Sequence, residues 1–147
     1  GFVSHCMGAN ATIMAMSRAK DKFHDARCLV AVQPVSMDVL VPRMIKDAFP
    51  LFATFAKNID GKCFRRTGLH LSDMSPLEYV KDIHLPVLYV QTKNDPWTEP
   101  GDIQRFHDAT PGPKELFWIE GDKKRFDGYN YFGEHPERLI SFLGKHM

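Results

Sequence analysis

Two runs in this chain leave little choice of environment. Arg27-Cys28-Leu29-Val30-Ala31-Val32-Gln33 and Leu85-Pro86-Val87-Leu88-Tyr89-Val90-Gln91 are apolar at nearly every position. A strand with one wet face alternates polar and apolar residues, whereas one that is apolar throughout needs cover on both faces, the condition found inside a parallel sheet. Pro34 closes the first run. Lys114-Glu115-Leu116-Phe117-Trp118-Ile119-Glu120 makes a third strand and Gly1 to His5 a fourth. Helical spacing fills the intervals at Met7 to Phe23, Ser75 to Lys81, Gly101 to Asp108 and Pro136 to Lys145, the last with Leu139, Ile140, Phe142 and Leu143 on one face. Alternating strands and helices predict an α/β protein, a parallel sheet of about four strands with flanking helices.

One interval breaks the rhythm. Met37 to Asp82 is too long for a plain crossover, and Met44–Phe49 and Leu51–Ala56 have helical spacing. Small helices laid over one end of the sheet, as a cap or lid within a single domain covering residues 1–147, are the expectation; a decorated crossover helix without ligand contact is the alternative. A formal net charge of +1 gives no electrostatic case for nucleic acid or an anionic membrane surface, and no apolar run approaches the ~18–20 residues of a membrane span. A small-molecule substrate fits better. Cys6, Cys28 and Cys63 are an odd, widely spaced set without a C-x-x-C pair, which suggests a reducing, cytoplasmic setting. The histidines show no ligand spacing, so neither a metal nor a cofactor is expected.

The chemistry is concentrated at the start. In Gly1-Phe2-Val3-Ser4-His5-Cys6-Met7-Gly8-Ala9 a short apolar run breaks into a small-residue turn and then a helix, the sequence form of a nucleophile elbow. The spacing selects Cys6, with Ser4 and Gly8 two residues away on either side, where crowding is expected to exclude larger side chains. A helix N-terminus aimed at Cys6 favours a thiolate, and the Met7 N–H becomes an oxyanion donor. A buried structural cysteine is the alternative. Thr92-Lys93-Asn94-Asp95-Pro96 follows the second run, Leu85–Gln91, at the strand end where ligands collect in open α/β sheets. Asp95 there either orients a base, as a triad acid does, or forms an Asx turn before Pro96.

Taken together, Ser4-His5-Cys6-Met7-Gly8-Ala9, the segment from Ser75-Pro76-Leu77 to Ile83-His84-Leu85-Pro86-Val87-Leu88, Asn94-Asp95 and Glu120-Gly121 resemble the C-terminal half of an α/β-hydrolase. A cysteine at the elbow resembles the dienelactone-hydrolase-like members. The resemblance implies hydrolysis of a carboxylic ester, thioester or lactone by Cys6, with Asp95 as the acid, and puts Met37–Asp82 where such enzymes insert a cap. It also implies a fragment: the chain opens on the end of a strand, the second oxyanion donor would come from an earlier strand, activity in isolation should be poor, and the exposed first-strand edge could pair with another copy.

The base is the difficulty. The resemblance implies a histidine in Gly-x-x-His after the last strand, yet Lys124 stands there in Gly121-Asp122-Lys123-Lys124-Arg125. A protonated lysine cannot take a proton from Cys6, though it could hold a thiolate electrostatically. His135 is the remaining candidate, if the stretch Phe126 to Glu134 is a loop that folds back; otherwise it opens the closing helix. Asp122–Arg125 reads as a solvated charged turn, with an anion-binding cluster as the alternative, and Phe126, Tyr129, Tyr131 and Phe132 either line a pocket beside Cys6 or pack under the loop. A catalytically silent relative that binds a ligand or partner through the same cleft is the second functional expectation.

Overall fold

The computed structural model describes residues 1–50, 58–121 and 125–147. Four parallel strands, β1 (Phe2–His5), β2 (Leu29–Val32), β3 (Val87–Thr92) and β4 (Lys114–Ile119), lie side by side in sequence order. Phe2 pairs with Leu29, Leu29 with Val87 and Val87 with Lys114, so all four strand starts are level and all four C-terminal ends open at the same rim. The two runs that are apolar throughout become the central strands β2 and β3, buried at every position. The edges are wetter: Phe2 and Val3 of β1 stay well exposed, and β4 is half-buried except at Ile119.

Helices cover both faces, and the pleat sorts the side chains between them. On one face Leu29, Ala31, Val87 and Tyr89 pack against Ala9, Ile13 and Met16 of α1 (Met7–Arg18), with Ile103 and Phe106 of α4 (Pro100–Ala109). On the other, Val30, Val32, Leu88 and Val90 meet Phe142 of α6 (Glu137–His146), with Tyr131 and Phe132 of α5 (Arg125–Glu134) at the margin. Cys28 belongs to this second core. α1 buries one face only, leaving Met7 well exposed. It stops at Arg18, and the expected continuation to Phe23 is a separate 3-10 turn, Lys20–Phe23.

Between β2 and β3 lie α2 (Met37–Ala48), α3 (Ile59–Thr67) and three 3-10 turns, Ser72–Met74, Pro76–Glu78 and Val80–Asp82. The expected helix from Ser75 to Lys81 is thus a pair of short turns, the first capped by Ser75 and entered through Pro76. The helical spacing at Leu51–Ala56 lies outside the described residues. α2 leans toward the sheet rim, where Arg43 donates to the Trp97 carbonyl at 3.1 Å and to Asp102 at 2.7 Å. The largest departure is α5. The stretch expected as a loop from Phe126 to Glu134 is helical despite Gly128, Asn130 and Gly133, and tertiary packing outweighs their poor propensity. Gly128 faces Gln33 and Thr92 so closely that a Cβ would run into both side chains.

Candidate active site

The site forms where the rim meets the turn between β1 and α1. Cys6 sits alone between strand and helix at φ 49° and ψ −121°, a left-handed backbone that costs a non-glycine residue about 1–3 kcal/mol. Its N–H donates to the Val32 carbonyl at 2.8 Å and its carbonyl accepts from the Asn10 N–H at 3.2 Å. Asn10 braces the turn from behind: its buried amide donates to the Val35 carbonyl at 2.6 Å and accepts from the Val35 N–H at 3.1 Å. Ser4 shares a 2.8 Å hydrogen bond with Thr12. The crowding expected at Gly8 is not seen among the described residues, since a Cβ there meets nothing within 4 Å.

Asp95 takes the Asx-turn role open to it in sequence, and its second oxygen meets a guanidinium rather than a base. Oδ1 accepts from the Trp97 N–H at 2.9 Å, the Asx turn, while Oδ2 accepts from Gln91 at 2.9 Å and Thr98 at 2.7 Å. Oδ2 also takes a short contact from Nη1 of Arg125. Arg125 is the residue that joins the two halves of the site. Only 2% exposed, it donates through Nη2 to Cys6 Sγ at 3.4 Å and to the Gln33 carbonyl at 3.0 Å, and through Nε to the Tyr129 hydroxyl at 3.1 Å. Gln33 presents that carbonyl from a second left-handed position, φ 50°. A guanidinium thus lies between a buried carboxylate and a sulfur, in the place where a triad would have its base.

The electrostatics follow from that arrangement. Burial pushes the Cys6 thiol up, but hydrogen bonds from Tyr129 and Arg125, the guanidinium charge and the Met7 N–H outweigh it and hold the thiol below its ordinary value. Tyr129 moves the other way, to about 12, through burial and its hydrogen bond to Cys6. His5 is lowered by burial, its ring edge-on to Tyr129 with centroids 5.9 Å apart. Arg125 keeps its charge: burial opposes it, but Asp95 and Cys6 on either side raise its pKa further.

Of the candidates read from sequence, Cys6, Met7 and Asp95 come together here. Lys124 lies outside the described residues, and it is its neighbour Arg125 that bridges the pair, so the charged stretch is not wholly solvated. His135 ends up past the far end of α5, exposed, with its ring 4.9 Å from Tyr131. The aromatic set divides: Tyr131 and Phe132 pack on Phe117 in the core, while Phe126 and Tyr129 face the site. Sequence reading missed Gln33; it had Tyr129 only as a possible pocket aromatic and Arg125 only within the charged stretch, although their four-residue spacing would place them on one helix face. Beside Arg125 a cavity of about 360 Å³ opens, lined by Asp47, Asn94, Pro96, Trp97 and Phe126. Among the described residues no group of three or more His, Cys, Asp or Glu is placed to hold a metal ion, and no helix is long and apolar enough to cross a membrane.

No family model matches the chain, nor does any curated protein. Solved structures do. The Pyrococcus furiosus esterase Pf2001 superposes with a TM-score of 0.67 at 22% identity, over 99% of this chain and 52% of its own. The fold is that of an α/β-hydrolase. An acetyl xylan esterase from Paenibacillus sp. R4 gives 0.66 at 15% identity, over 97% of this chain and 44% of its own. The Paleococcus ferrophilus monoacylglycerol lipase gives 0.57 at 18%, over 96% and 68%. The chain therefore spans about half the length of the esterase it resembles, and within this α/β-hydrolase fold the Cys6 turn, Asp95 and Arg125 meet at one rim.

Proposed function

We propose that this chain carries the nucleophile of a hydrolase of dienelactone-hydrolase-like type, acting on a carboxylic ester, thioester or lactone through Cys6. The observation that supports it is the sulfur itself, held on a strained strand-to-helix turn with three donors, Arg125, Tyr129 and the Met7 N–H, that favour the thiolate. A thiolate formed before substrate arrives needs no base to attack. It adds to the carbonyl carbon, the oxyanion is held in part by the Met7 N–H, and expulsion of the leaving group gives a thioester on Cys6 that water resolves. Arg125 orients and stabilises the sulfur but cannot accept a proton. The cavity beside Trp97 and Phe126 takes the remainder of a small substrate, with α2, whose Asp47 lines it, as the described part of a cap. Such a thiolate belongs in the reducing cytoplasm.

The test is acylation. Incubated with p-nitrophenyl acetate at its natural length, the protein should release a burst of nitrophenolate and carry an acetyl group on the Cys6 peptide, and Cys6→Ala should lose both. Arg125 also supports a second reading, a silent relative that binds an anionic ligand, because a guanidinium attracts anions and takes no proton. No burst, together with protection of Cys6 from alkylation by a carboxylate such as acetate, would favour that reading.

A further inference from the structure

Resting on Cys6 as nucleophile, the geometry points to Tyr129 as the group that moves the protons of the reaction, giving one to the leaving group and regaining it from water. An alkoxide needs a proton to depart, and deacylation needs one removed from water. Among the described residues, the groups in contact with the sulfur are the Met7 N–H, Arg125 and Tyr129. An amide and a guanidinium keep their protons. Asp95 is turned away, its oxygens occupied by Gln91, Trp97, Thr98 and Arg125. His5 meets the Tyr129 ring edge-on, and His135 packs on Tyr131. Tyr129 is set up for the work: its oxygen accepts from Nε of Arg125 at 3.1 Å, leaving its hydrogen for Cys6.

The steps balance. The Cys6 thiolate forms the C–S bond and the carbonyl π pair moves to oxygen. As the sulfur gives up its lone pair, the Tyr129 hydroxyl loses its acceptor and turns to the leaving oxygen on the same carbon. The C–O bond breaks, its electron pair takes the Tyr129 proton, and the alcohol leaves a phenolate beside the Arg125 guanidinium. That phenolate takes a proton from water as the water oxygen attacks the thioester. The C–S bond then breaks, its pair returning to sulfur, and the acid leaves with Tyr129 again protonated. Held at about 12, the phenol keeps its proton against the thiolate yet yields it to an alkoxide, whose basicity is close to that of hydroxide (water's pKa is about 15.7).

Leaving groups test this. Nitrophenolate departs without a proton; an alkoxide does not. Tyr129→Phe keeps the ring against His5 and Phe126, and is compared with the parent at a pH where iodoacetamide alkylation of Cys6 has reached its plateau in both. The ratio of ethyl-ester to p-nitrophenyl-ester acylation rates should fall about 10²–10⁴-fold, and the acetyl-Cys6 thioester should persist. An unchanged ratio, equal slowing on both esters, or a parent that acylates from the aryl ester and never from the ethyl ester overturns the proposal while leaving Cys6 as nucleophile. A burst that survives in Cys6→Ala overturns the Cys6 reading instead, and this one with it.

Discussion

The two halves of the site are built in opposite ways. The Cys6 side, β1 to α1, is a backbone device: a left-handed residue between a strand and a helix, fixed by main-chain bonds to Val32 and by Asn10. The side after β4 is a side-chain device, in which α5 lies against Gln33 and Thr92 through Gly128 and sends one long guanidinium across the rim to both Asp95 and Cys6. A backbone device depends on small residues and strand–helix spacing. A side-chain device depends on where a helix lands.

Disturbing the second device should have the largest effect. Arg125→Ala strands the Asp95 carboxylate, buried and without its countercharge, and should cost about 3–5 kcal/mol in urea unfolding. Cutting the half-exposed pair Arg138–Glu115 at the other end of the sheet should cost under about 1 kcal/mol; equal costs would mean that burial is not what makes Arg125 matter. Gly128→Ala pushes α5 off Gln33 and Thr92 and should cost about 1–3 kcal/mol. It should also slow Cys6 alkylation by withdrawing Arg125 and Tyr129, and a stability loss with unchanged alkylation would show that the helix does not tune the sulfur. On the Cys6 side, Asn10→Ala leaves the Val35 backbone groups unpaired, at about 1–3 kcal/mol by urea midpoint. Gly8→Ala is the smallest. With nothing near its Cβ, helix propensity alone should stabilise by about 0.5–1 kcal/mol, and a loss would reveal crowding that the described residues do not contain.

The same contrast explains what could be read in sequence. β2 and β3 were legible because burial on both faces demands an unbroken apolar run, Asp95 because it stands just past such a run, and Cys6 because small residues flank it where a strand turns into a helix. Arg125 was not. A Gly-x-x-His offset points to Lys124, whereas the side chain that reaches the site comes one residue later, from a helix whose glycines read as a loop. Its arrival depends on Gly128 meeting Gln33 and Thr92, a contact between segments far apart in the chain that no local pattern records. Asp95 shows the middle case: its Asx turn was legible, but that its second oxygen meets Gln91, Thr98 and Arg125 required the fold.

The central claim is that the Arg125 guanidinium, together with the Tyr129 hydroxyl and not a base, holds the Cys6 thiol below its ordinary value. The most direct measurement is the pH dependence of iodoacetamide alkylation at Cys6, resolved by peptide mass spectrometry with Cys28 and Cys63 as references, in the parent and in Arg125→Gln. Alkylation requires the thiolate, so the rate is low below the midpoint and rises as pH passes through it. With the folded pKa lowered, the parent midpoint should fall below the ~8.5 of a free thiol and should move up when the Arg125 charge is removed. A parent midpoint at or above the free-thiol value, or one that Arg125→Gln leaves in place, would contradict the account.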